Sequence, residues 1–293
     1  MHHLPAVSDA ARELGQAEID WLVEEPFAAI PAMHPAVRRV IPVKLRRWRT
    51  AWWRGSTWSE IGAFREALRD ERYDAIVDTQ SLLKSALLCR LALGVRHGMD
   101  AASAREALAA RFYDRRYAVP RALHAVERNR LLSAAALGYA LAGSPDYGLE
   151  VPAGEGGEAR YAVFLSMTSR ADKLWPDASW SELGRALGMR VVLPWGSEPE
   201  RARAARIAAT LAEAEVPPRM TVEQLARLFA RAAVVVGVDT GLTHLAAAVG
   251  ARTVGIYCGS DPALTGIYGA KQATNVGALG GSPAPAEVLR ALQ

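Results

Sequence analysis

Cysteine is almost absent: Cys89 and Cys258 are the only two in 293 residues. Their separation excludes a C-x-x-C metal or redox site and argues for a reducing compartment. Long hydrophobic runs are missing as well. The longest uncharged stretch near the middle, residues 131–145, is interrupted by Ser133, Gly138 and Gly143, whereas a bilayer span needs roughly 20 apolar residues. No basic segment followed by an apolar one opens the chain, so no secretory signal is expected. Walker A, G-x-G-x-x-G and G-x-S-x-G patterns are absent, and no D-x-D pair offers carboxylates to a divalent cation. His2, His3, His34, His97 and His124 show no metal-ligand spacing. No metal and no cofactor are therefore expected.

What is present is a globular composition, 51% hydrophobic and 23% charged, in a chain long enough for two domains and two cores. The net charge of +4 is small but unevenly spread. Arg38, Arg39, Lys44, Arg46, Arg47, Arg49 and Arg54 follow one another with no intervening acid, interleaved with Trp48, Trp52 and Trp53. Such density fits a polyanionic partner, whether phosphates, carboxylates or an anionic membrane face. The plainer reading is a solvated basic face over core tryptophans. Nucleic acid is not expected, because no zinc finger, RNP motif or helix-turn-helix signal accompanies the charge.

Strand-like and helical patterns alternate in both halves. Strands are expected at 18–23, 37–43, 75–78, 95–98, 161–165, 190–193, 234–238 and 253–257. Helices are expected at 6–14, 64–70, 82–93 (with Gly94 as its C-cap), 124–139, 175–187, 198–214, 222–232, 242–249 and 285–292. Residues 144–157, rich in Pro, Gly and acids, form the best linker. This alternation predicts an α/β protein of two parallel-sheet domains, 1–150 and 151–293. In such sheets ligands bind beyond the carboxyl ends of strands, with a cleft where two domains face each other.

Three strand-to-helix corners in the second half carry chemistry. In VVVGVDTGLTHLAAAVG, Gly241 lets backbone approach a ligand, while Asp239, Thr240 and His244 supply polar side chains. The competing reading makes Asp239 a helix cap and His244 a packed core residue. In LSMTSRADKLWP, Thr168, Ser169 and Lys173 follow a strand end and suit phosphate oxygens, or else form a solvated loop. In LPWGSEPE, Glu198 and Glu200 suit ribose hydroxyls, though acids in a first helical turn are favoured by the dipole alone. In the first half Asp78, Gln80 and Lys84 follow a strand end and can face the same cleft.

Together, VDTGLTHLAAAVGARTVGIYCGSDP, TSRADKLWP, VVLPWGSEPERA and IDWLVEEPFAAIPAMHPAVRRVIP resemble the lipopolysaccharide heptosyltransferase family. IPVKLRRWRTAWW and HGMDAASAREALAARFYDRRY are similar to the branch that adds the first heptose rather than the second. The resemblance implies GT-B architecture and inverting transfer of heptose from ADP-heptose to Kdo-lipid A, without a metal. It implies a cytoplasmic enzyme, peripheral on the inner face of the inner membrane. Thr168, Ser169 and Lys173 would contact phosphates and sugar, with Lys173 serving the leaving group. Glu200 would take the ribose and Met220 the adenine, while Asp239, Thr240, Gly241 and His244 would hold heptose and pyrophosphate. Arg46, Arg47, Arg49 and Arg115 would meet the acceptor's carboxylates and phosphates.

Departures from the family pattern are specific. Ser169 stands where threonine is usual, and Thr50 where lysine is common. The family opens with an apolar strand and a Ser-Ser-x-Gly-Asp turn whose aspartate is the general base. This chain opens at Met1-His2-His3-Leu4-Pro5-Ala6, in register with the helix that follows that turn. An incomplete start, a first-domain sheet open at its centre and an absent base are the expectations. They leave room for a catalytically impaired ADP-sugar-binding protein.

Overall fold

A computed structural model describes residues 1–151 and 159–292. The chain divides into two compact units, His2–Gly148 and Leu149 onward. Residues 152–157 of the expected linker, with residue 158, lie outside the described residues. The preceding part of the linker is docked: Tyr147 is buried, and a Cβ at Gly148 would lie 2.5 Å from His34 Nε2 and 2.6 Å from Ser8 Oγ.

The N-terminal unit contains β1 (Ile19–Glu24), β2 (Val37–Val43), β3 (Arg72–Asp78), β4 (Leu93–Met99) and β5 (Arg115–Tyr117). All pairings are parallel, but they make two sheets, β1-β2 and β3-β4-β5. Side chains link the pieces. Tyr73 of β3 donates its hydroxyl to Asp20 Oδ2 of β1 at 2.8 Å, and Arg39 of β2 donates to Tyr73 and to Asp20 at 2.9 Å each. The helix Leu4–Leu14 leads into β1 without a strand of its own among the described residues. It is pinned to the helix Ala125–Leu137 by a buried ion pair: Arg130 Nε donates to Asp9 Oδ2 at 2.7 Å, and Nη2 to Oδ1 at 3.3 Å. Arg130 also donates through Nη1 to Glu127 Oε1 at 2.9 Å and through Nη2 to the carbonyls of Ala142 and Gly143. Apolar side chains here form separate small clusters, such as Ile41, Val43, Trp48, Phe64 and Leu68.

The C-terminal unit carries β6 (Ala159–Leu165), β7 (Arg190–Val192), β8 (Ala214–Glu215), β9 (Ala232–Val238), β10 (Thr253–Tyr257) and β11 (Ala273–Gly277). They form one parallel sheet in the order β11-β10-β9-β6-β7-β8. A strand covered on both faces reads as an unbroken apolar run, which explains AAVVVGV in β9. One cluster spans the unit, from Phe164, Trp175 and Trp180 through Val236 and Ile256 to Val288.

Several elements differ from the sequence pattern. The helix expected at 82–93 is Leu83–Cys89, because Leu93 and Gly94 belong to β4. Gly94 is therefore no C-cap; a Cβ there would sit 2.4 Å from the Tyr73 carbonyl oxygen across the ladder. The helix expected at 198–214 ends at Ala208, and the chain turns to add β8 to the sheet edge. The helix expected at 64–70 starts earlier, at Gly55, and a short helix Leu45–Thr50 precedes it. Neither β5 nor β11 is expected from periodicity, since each is a short strand of half-polar sequence.

Candidate active site

In the C-terminal sheet the chain runs outward from β6 to β7 and β8, then returns to place β9 against the other side of β6. The crevice beyond the carboxyl ends of β6 and β9 is thus the point where strand order reverses, the usual ligand position in such folds. Two of the three corners singled out in the sequence meet there. Thr168, just past β6, donates its hydroxyl to the Asp239 carbonyl at 3.0 Å. Lys173 Nζ donates to Asp239 Oδ2 at 2.6 Å, and both side chains are largely buried. Ser260, beyond β10, donates to the same oxygen, and His244 Nε2 lies 3.7 Å from Oδ1.

Burial alone would raise the Asp239 pKa, but bonds from His244, Lys173 and Ser260 outweigh it and hold the carboxyl well below the ordinary aspartate range. Asp239 is therefore ionised and fully engaged. It is not the cap of the helix Gly241–Ala248; that place is taken by Thr240, whose side chain makes no capping bond. Nothing lies within 4 Å of a Cβ added at Gly241. The space over this helix start is open, so the protein's own packing does not demand glycine there. The result is an open helix start with a partly buried ammonium and a buried carboxylate paired beside it.

The loop bearing Lys173 is held from behind by a residue the sequence reading passed over. Arg203, buried in the helix Glu198–Ala208, donates to the Ser166 carbonyl at 2.8 Å, to Asp177 Oδ1 at 2.7 Å and to the Trp175 carbonyl. Gly259 closes the other side, since a Cβ there would be 2.7 Å from the Asp172 carbonyl oxygen. Ser260 and Arg203 have no signal of their own in the sequence. Ser260 follows the strand 253–257 and Arg203 lies in the helix expected at 198–214, but their partners lie 21 to 37 positions away.

The remaining donor-side residues are more loosely placed. Ser169 is exposed beside Thr168. Glu200 accepts from the Gly196 and Ser197 amides at 2.6 and 3.3 Å, completing a capping box with Ser197. Met220 is half-buried just before the capping residue Thr221. Trp195 donates its indole N–H to the Pro217 carbonyl at 2.7 Å, which ties the β7 corner to the Met220 loop.

In the N-terminal unit the basic stretch separates into two groups. Arg38 and Arg39 pair with Asp20, with further acids at Glu18, Glu71 and Asp70. Lys44 pairs with Glu25, and Arg47 with Glu60. Arg46, Arg49 and Arg54 are exposed and make no ion pair among the described residues, and the same holds for Arg115. Asp78 is buried and accepts from Gln80 N, Ser81 N, Ser85 Oγ and Tyr113 OH at 2.7 to 3.2 Å. All its acceptor capacity is used inside the unit, so it holds the β3 turn in place and does not face a ligand. A cavity of about 660 Å³ opens between Asp100, Leu108, Arg111 and Arg116.

The family model of glycosyltransferase family 9 (heptosyltransferase) matches residues 61–288. The chain belongs to this family. Lipopolysaccharide heptosyltransferase 1 of Escherichia coli K12 is 48% identical, over 93% of this chain and 88% of its own length. Its counterpart in Pseudomonas aeruginosa is 47% identical, over 93% and 79%. The solved E. coli heptosyltransferase WaaC with ADP superposes with a TM-score of 0.91 at 45% identity, covering 99% of this chain and 93% of that one. The family 9 enzyme thus has the α/β, parallel-sheet GT-B glycosyltransferase fold. E. coli heptosyltransferase II matches at 22% identity and a TM-score of 0.75, which speaks for the fold alone.

Proposed function

We propose that this chain transfers heptose from ADP-heptose, with inversion, to a Kdo hydroxyl of Kdo-lipid A in lipopolysaccharide inner-core synthesis. The hydroxyl's proton goes to the turn aspartate of the family pattern, a place that no described residue takes. The observation that carries the reading is the Lys173–Asp239 pair at the strand-order reversal, beside the open helix start at Gly241. A diphosphate there meets the Lys173 ammonium and the first-turn amides, which stabilise the charge that builds on ADP as the glycosidic bond breaks. Asp239, held ionised, accepts from sugar hydroxyls once Lys173 turns toward phosphate. Thr168, Ser169, Thr240 and His244 complete the polar lining; Met220 and Glu200 lie toward the nucleoside, Glu200 with one oxygen held in its capping box. E. coli WaaC has been solved with ADP and with ADP-2-deoxy-2-fluoro heptose, which supports this donor. The ammonium supplies the positive charge in this scheme, and no metal or cofactor is assigned.

Arg46, Arg49 and Arg115, exposed and unpaired, are the acceptor-side cations; Arg47 joins them by exchanging Glu60 for the ligand. Kdo-lipid A is anionic and membrane-embedded, so the enzyme works at the cytoplasmic face of the inner membrane as a peripheral protein. No described helix is long and apolar enough to cross a membrane.

A second reading, donor binding without transfer, is favoured by the divided sheet of the N-terminal unit. The test is acceptor-dependent ADP release from ADP-heptose with Kdo-lipid A, alongside calorimetric binding of ADP. Turnover supports the transferase; binding without turnover supports the second reading; absence of both overturns the site. An acceptor already carrying one heptose separates the first transfer from the second. Lys173→Ala is expected to lower turnover by about 10²- to 10³-fold, the range for removing one donor from a developing anion. Unchanged turnover removes Lys173 from the scheme.

A further inference from the structure

Four tryptophans lie between Lys44 and Glu60, and only one belongs to a core. Trp48 is buried, packs edge-on against Phe64 at 5.4 Å and donates its indole N–H to Glu60 at 3.0 Å. Trp52, Trp53 and Trp58 are 64%, 65% and 62% exposed. They form one patch: the Trp52 and Trp53 rings are 6.3 Å apart, and Trp58 donates its indole N–H to the Trp52 carbonyl at 2.9 Å. Soluble monomers rarely display a contiguous apolar patch of this kind without a partner for it.

The charge around the patch is equally one-sided. From Lys44 to Trp58 there is no acid in the sequence. The acids that fold back onto this stretch, Glu25 and Glu60, are taken by Lys44 and Arg47. Arg46 and Arg49, cations without an ion pair among the described residues, are exposed on the short helix Leu45–Thr50. Arg54 is exposed in the turn that holds Trp52 and Trp53, just before the helix Gly55–Arg69 that carries Trp58. Indoles sit at the boundary between headgroups and acyl chains, and arginines beside them are drawn to anionic headgroups. The two adjacent rings stand at 84° to each other, so they offer no flat platform on which successive nucleic-acid bases would stack.

We propose that Trp52, Trp53 and Trp58, with Arg46, Arg49 and Arg54, form an interfacial anchor that binds an anionic bilayer surface. The proposal rests on the peripheral-membrane reading above for its biological setting, but its test does not depend on catalysis. The full chain and a W52S/W53S/W58S variant are sedimented with vesicles of phosphatidylcholine containing about a third phosphatidylglycerol, and with phosphatidylcholine alone. All three substituted side chains are mostly exposed, so circular dichroism and Tm should match the parent and serve as the folding control.

The expected result is binding to the anionic vesicles that falls at least roughly tenfold in the triple variant. Arg54→Gln alone should weaken it by about fivefold. Quenching of tryptophan fluorescence by brominated acyl chains should be present in the parent and largely lost in the triple variant. Equal vesicle binding by parent and triple variant overturns the proposal. So does an absence of vesicle binding with salt-sensitive binding of single-stranded DNA that the triple variant loses. ADP binding in the same preparations is expected to be unchanged, which separates failure of the anchor from failure of the donor site.

Discussion

The two units solve the same architectural problem with different means. Among the described residues the C-terminal unit has six strands in one continuous ladder and a core that spans it. The N-terminal unit has five strands in two sheets, and several of its long-range ties are side chains: Tyr73 and Arg39 on Asp20, Arg130 on Asp9, Tyr113 on Asp78. A ladder satisfies backbone groups automatically, so it releases side chains at the strand ends for ligand chemistry. In the N-terminal unit the Asp20 carboxylate makes such a tie, accepting from Arg39 of its own sheet and from Tyr73 of the other. Both corner aspartates are engaged: Asp239 by Lys173, Ser260 and His244 beside an open helix start, Asp78 by four donors that leave it no acceptor capacity.

The comparison breaks most sharply at Asp9. Asp9→Ala removes the bidentate partner of buried Arg130 and leaves Glu127 as its remaining counter-charge, which costs up to about 3 kcal/mol. Denaturant unfolding followed by hydrogen exchange should show the loss in the N-terminal unit, with β6 and β9 still protected. Equal loss in both units would mean that they unfold as one.

The next largest effect belongs to the other unit. Gly241→Ala adds a methyl into open space at a helix start, so thermal stability should be nearly unchanged. ADP affinity should nevertheless fall by roughly tenfold, because the backbone can no longer approach the diphosphate closely. Affinity unchanged in titration calorimetry would place the diphosphate elsewhere.

The smallest difference is in acid. His97 is held below its ordinary pKa by burial and then by Arg115, and His3 is pushed by burial down to about 4. A buried neutral histidine gives stability that is complete above about 6.5 and lost as pH falls toward the lowered folded value. The N-terminal unit should therefore weaken between pH 6.5 and about 4. Asp239 has its pKa lowered too, but as a carboxylate it contributes fully above the ordinary aspartate value and loses that only at lower pH. Exchange rates that rise first in β9 as pH falls through this window would reverse the comparison.

Much of the C-terminal unit is legible in the sequence because its elements announce themselves locally. VVVGV is a buried strand by composition, and LSMTS and VDTGLTH are strand ends by the polar residues that follow apolar runs. Expectation failed where a short element depends on its neighbours. Residues 209–214 have helical composition, yet the edge of β7 recruits Ala214–Glu215 as β8. Leu93 and Gly94 read as a helix end, yet they pair with Arg72 and Tyr73 of β3.

By itself the sequence determined that this is an α/β protein with polar corners at Thr168, Lys173 and Asp239, and with a dense basic, tryptophan-rich stretch between Arg38 and Arg54. Only the tertiary structure decided which of those charges are free. Arg38 finds Glu71 and Arg47 finds Glu60 across 33 and 13 positions, while Arg46, Arg49 and Arg54 find no ion pair among the described residues. Ser260 reaches Asp239, and Arg203 braces the Lys173 loop, by the same kind of long return. Periodicity and turn chemistry act over a few residues, so a sequence displays them directly. Ion pairing and desolvation depend on distances that exist only once the chain has folded back on itself.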